Sequence, residues 1–115
     1  MRNVVGAPIP ESLAREALQT AEKLRTGKAS ARDAEQAVEV ICRMTDEVLN
    51  YFFVRPIERL GMGGTVQRMT RWGIHNATKM IRIGLARVLP KLKPEQLREV
   101  ANFLDGSLHE GSDLR

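Results

Sequence analysis

Apolar positions recur at helical spacing through most of the chain, in four blocks separated by proline and glycine. In the first block Leu13, Ala14, Ala17, Leu18, Ala21 and Leu24 form one stripe. Pro10 suits the first turn of that helix, where its missing N–H costs little, and Gly27 suits the C-cap. The second block opens at Ser30, with Asp33 three residues on as a near capping box. Its stripe is Ala34, Ala37, Val38, Ile41, Thr45, Val48, Leu49 and Phe52, while Glu35, Glu39 and Asp46 give it an acidic outer side. Pro56 disfavours helix at Arg55, so the second helix is expected to end or kink there. A further short turn over residues 57–60 and the break Gly61-Met62-Gly63-Gly64 follow.

The third block, residues 65–89, organises the chain. Thr65 is the expected N-cap and Pro90 closes the helix. On a wheel of about 100° per residue, Val66, Met69, Gly73, Ala77, Met80, Ile81, Gly84, Leu85 and Val88 gather on one broad side, which is expected to face the core. Arg68, Arg71, His75, Lys79 and Arg82 fall opposite, at steps of three and four, and are expected to face solvent. In the fourth block Pro94 and Glu95 open a helix with the stripe Leu97, Val100, Ala101 and Leu104, stopped at Gly106. No alternating run marks a strand. The expectation is an all-α fold: a small four-helix bundle, mostly antiparallel, with a Pro/Gly hinge between the second and third helices. Residues 1–9 are a lead-in, 10–106 one helical domain, and 107–115 a short polar tail.

The 115 residues carry 18 basic and 14 acidic side chains, a net +4. The window from Arg59 to Lys93 holds eight basic residues and no acidic one, so the rest of the chain has ten basic against fourteen acidic. Such asymmetry points to an anionic partner, or to a match between opposite faces within the fold or between subunits. The single cysteine, Cys42, excludes an intrachain disulfide framework. No secretory leader is evident, and no apolar run approaches the roughly 20 residues of a membrane span. A cytoplasmic location is expected.

Candidate chemistry is sparse. The basic face, Arg68, Arg71, His75, Lys79 and Arg82 with Trp72 beside it, reads as an anion- or partner-binding surface, or simply as a solvated face offset by the acidic second helix. Gly73, Ala77 and Gly84 line up within the apolar side. Interior glycine costs up to about 1 kcal/mol in a helix, so the stripe implies a close helix approach, inside the bundle or between two copies. An exposed histidine on a four-helix bundle coarsely resembles phosphotransfer domains, but Thr78 and Lys79 stand where those carry lysine and then glycine. The glycines before Thr65 fit neither nucleotide-binding fingerprint. His75 and His109 fall in different elements, without metal-ligand spacing. Ser12, Ser30, Ser107 and Ser112 sit in caps or termini, outside any nucleophile motif. The expectation is therefore a non-catalytic helical module acting through protein–protein association, as a homo-oligomer or with another protein, without cofactor, metal or small-molecule substrate. Nucleic-acid binding through the third helix is the alternative. Peripheral binding to an anionic membrane ranks third, because it would take the apolar side of that helix out of the core.

Overall fold

Every regular element in the computed structural model, which describes residues 6–26 and 30–108, is helical. α1 spans Glu11–Arg25, α2 Ala31–Leu49, α3 Arg55–Arg59, α4 Gly64–Val88 and α5 Pro94–Ser107. A π-helical turn, Asn50–Val54, joins α2 to α3, and a 3-10 turn, Leu89–Lys91, follows α4. The four long helices expected from the periodicity are present, with one short helix added. Gly27, residues 1–5 and the tail from His109, including Ser112, lie outside the described residues.

Local chemistry explains most of the boundaries. The capping box at α2 forms: the Asp33 N–H donates to Ser30 Oγ at 3.3 Å, and the Ser30 N–H donates to Asp33 Oδ2 at 2.9 Å. Helical bonding does not end at Arg55 but continues across Pro56. Its ring crowds the carbonyl four residues back and it lacks an N–H, and the widened π-turn before it absorbs both defects. Within that turn the Arg55 N–H donates to the carbonyl of Asn50, five residues earlier. Gly61, at φ 67°, takes the left-handed conformation that ends α3. Gly63, not Thr65, occupies the N-cap of α4, and α5 runs past Gly106 to Ser107.

α2 is the centre. α1 packs on one side of it and α4 on the other, while α5 packs on α1. The core cluster is Ala17, Ala21 and Leu24 of α1, Ala34, Ala37, Val38, Val40 and Cys42 of α2, Leu89, and Ala101 and Leu104 of α5. So many alanines suit the packing of α1 against both α2 and α5. Val40 lies off the expected stripe and Cys42 at its edge, and both are fully buried, because α2 is covered from two sides. Leu18, in the expected stripe of α1, is half exposed.

α4 is held differently. It rests on α2, the π-turn, α3 and the 3-10 turn, and shares no comparable packing with α1 or α5. The bundle is open along this edge. Its radius of gyration is 15.9 Å, against about 13 Å for a compact chain of this length.

The side of α4 that meets the fold is not the one expected. Thr78 and Leu89 are buried, and Ile74, Arg82 and Leu85 half-buried, on one face. Val66, Met69, Gly73, Ala77, Met80, Ile81, Gly84 and Val88, expected in the core, are exposed. The helix is turned by about a third of a revolution from the expected phase. The cause lies on α2, whose facing side presents Glu39 and Asp46. An apolar face laid against those carboxylates would leave them without partners, whereas Arg82 and Thr78 bond them. The arginine stem supplies apolar cover at the same time.

Candidate interaction surface on α4

Each helix interface carries its own polar link. Arg25 of α1 pairs with Asp105 of α5 and donates to Asn102 Oδ1 at 3.1 Å. Glu16 of α1 accepts from Arg43 and Gln36 of α2. Between α2 and α4, Arg82 pairs with Glu39, and the Thr78 hydroxyl donates to Asp46 Oδ1 at 2.5 Å. The bond to Glu39 is the main reason that Arg82 holds its proton above the ordinary guanidinium range. Burial pushes the nearby Cys42 thiol up as well, so it stays protonated at neutral pH.

These links sort the basic face. Arg82 is consumed by α2, and Arg71 donates to Glu58 of α3 at 2.5 Å. Arg71 stays exposed, as expected, while Arg82 is half-buried against α2. Arg68, His75 and Lys79 remain exposed, and Arg68 and Lys79 carry no ion pair among the described residues. Trp72 is 71% exposed beside them. The six residues expected to act together are thus divided: two tie α4 to its neighbours, and four line its outer edge.

Beyond Trp72 lies a broad apolar surface. Met69 and Met80 are 68% and 69% exposed, and Val66, Ile81, Ile83 and Val88 are exposed as well. Gly73, Ala77 and Gly84 run along its middle, also exposed. A Cβ added at Gly73 or Gly84 would meet nothing within 4 Å, which rules out a close approach inside the bundle as their reason. With Trp72, the large side chains present on the order of 600 Å² of apolar surface, the upper end of what a typical monomer shows in one patch. Arg87, seven residues beyond Met80, is exposed on this face, and two further polar side chains interrupt it. Thr70 and Asn76 turn their side chains back onto the helix carbonyls of Val66 and Trp72. Periodicity found these residues but set most of them inside. The available signal was the pair Glu39 and Asp46 on α2, which needs a cationic or hydroxyl face opposite.

Other features offer little chemistry. An open concavity by the start of α1, lined by Pro10, Ser12, Leu13, Arg43, Asp46 and Glu47, has acids and a cation already close together. Among the described residues no group of His, Cys, Asp or Glu is placed to hold a metal, and no helix is long and apolar enough to cross a membrane. Comparison with known proteins finds no matching family model, no matching curated protein and no matching solved structure.

Proposed function

We propose that this chain is a non-catalytic helical assembly module that pairs with a second copy of itself through the outer face of α4. One observation carries the reading: the apolar half of α4 is exposed, with two glycines at its middle that no contact within the chain explains. Glycine at such sites costs helix stability, and the close approach of another helix repays the loss.

The face is complementary to itself. Take two α4 helices antiparallel, with the two-fold axis at the level of Thr78 and Lys79. Gly73 then lies opposite the partner's Gly84, Ala77 opposite the partner's Met80, and Met69 opposite the partner's Val88. Glycine meets glycine, alanine meets methionine and methionine meets valine, and an isologous contact of this kind closes after two copies. No cation of α4 opposes another across the seam. The apolar area approaches the roughly 800 Å² per partner of a standard interface. A reducing, cytoplasmic setting accords with the lone Cys42 thiol.

Sedimentation across a wide range of concentration tests the reading. The wild type should move from monomer to dimer as concentration rises. Met80→Glu, which sets a charge in the seam, should remain monomeric and helical, and Glu99→Gln on α5 should leave the dimer intact. A wild type that stays monomeric throughout, or a dimer indifferent to Met80→Glu, would overturn it.

A further inference from the structure

We infer that the outer edge of α4 formed by Arg68, Trp72, His75 and Lys79 binds single-stranded nucleic acid, with Trp72 stacked on a base and Arg68 and Lys79 on phosphates. The inference goes beyond self-association, because this edge lies about a third of a turn from the glycine seam and leaves Trp72 at its rim.

The fold itself separates these cations from their neighbours. Arg71 and Arg82 are neutralised by Glu58 and Glu39, while Arg68 and Lys79 are left without an anion among the described residues. α4 has no acidic residue along its length to repel a phosphate. Trp72 is similarly unclaimed. The Tyr51 ring has Phe52 at 5.2 Å and the Arg55 guanidinium at 5.3 Å, whereas Trp72 has neither a ring nor a cation partner among the described residues.

Spacing joins the groups into one strip. Arg68 is four residues before Trp72, His75 three after it, and Lys79 four beyond His75, so the side chains succeed one another along one edge. Arg68 and Lys79 stand about 16 Å apart along the axis. A single strand of a few nucleotides spans that distance. A cationic row with an aromatic set into it fits unpaired bases, whose faces are free to stack, and not a duplex, whose bases are closed. The exposed apolar half of α4 also suits a lipid surface, which would shift Trp72 emission to the blue, whereas stacking on a base quenches it.

Trp72 is the only tryptophan of the chain, so its fluorescence reports the site directly. The wild type is titrated with an oligothymidine of about 20 nucleotides, longer than the footprint of a comparable groove. Emission should be quenched on binding. With two phosphate contacts to a single strand, a fourfold rise in salt should weaken binding about sevenfold. Arg68→Glu with Lys79→Glu should abolish the quenching while helix content and sedimentation stay unchanged. Trp72→Leu, followed by anisotropy of a labelled oligomer, should weaken binding at least tenfold. Absence of both quenching and anisotropy change in the wild type would overturn the inference, as would binding that survives the charge reversal. So would a blue shift with phosphatidylserine vesicles and no response to oligothymidine, which would make lipid the ligand. Sedimentation reads the self-association separately, so either conclusion can fail without the other.

Discussion

α2 and α4 are the two longest helices, and both are amphipathic, yet they use their apolar residues in opposite ways. α2 turns its apolar residues toward α1 and the core and adds Val40 and Cys42, which are fully buried. α4 buries only Thr78, with Leu89 of the following 3-10 turn, and leaves Met69, Trp72 and Met80 mostly exposed. Cover makes the difference. α2 has neighbours on two sides, whereas α4 has one and lies at the open edge. An apolar helix face is thus a statement about what the helix needs against it, and only the packing tells whether that neighbour is within the same chain.

The sharpest way to break this contrast is to compare truncations on the two sides. Leu104 is 1% exposed between α5 and the rest of the core. Leu104→Ala should cost about 2–5 kcal/mol, from lost burial and the cavity left behind. Met80→Ala, a change of similar size on α4, should cost the monomer less than about 0.5 kcal/mol. Denaturant unfolding followed by circular dichroism, at a concentration where the chain is monomeric, measures both. Equal losses would mean that the outer face of α4 is covered in the folded monomer.

A smaller effect, with opposite signs in the two states, is expected at Gly84. No atom crowds a Cβ there, so Gly84→Ala should stabilise the monomer by up to about 1 kcal/mol through helix propensity alone. The same methyl group lies in the proposed seam and should weaken the dimer. Gly84→Leu should separate the two effects further, with a tolerated fold and an abolished pair. A large loss of monomer stability in Gly84→Leu would show that the glycine serves packing inside the chain.

The α1, α2 and α5 helices were largely legible in the sequence. Each has one dominant apolar stripe, and α2 announces its start through Ser30 and Asp33. Periodicity also found α4, but not its phase. Apolar residues cover about half of that wheel, and the pattern shows that the helix has two unlike faces without saying which one meets a neighbour. That choice is made by Glu39 and Asp46, 43 and 32 residues before their partners, whose need for a partner turns Arg82 and Thr78 inward. The edge of Arg68, Trp72, His75 and Lys79 was visible as part of a larger basic face, and only the ion pairs of Arg71 and Arg82 set its limits. The π-turn before Pro56 had no signature beyond the proline itself.

The smallest predicted effect concerns how α4 is held in that phase. Arg82 and Glu39 are each 42% exposed, so water screens the pair and the coupling between them should be modest. A double-mutant cycle of Arg82→Ala and Glu39→Ala should return below about 1 kcal/mol. A weak pair can nonetheless choose the phase, because the alternative sets an apolar face against two carboxylates, and an unpartnered polar group costs more than a formed pair gains. The expected signature is asymmetry. Arg82→Ala alone should be worse than the double variant, since it removes the guanidinium and leaves Glu39 beside the apolar stems of α4. If the single and double variants are equally stable and the coupling is zero, the carboxylates do not set the phase. Ile74, Leu85 and Leu89 would then hold α4 by packing alone, and its outward apolar face would be a consequence of their shape.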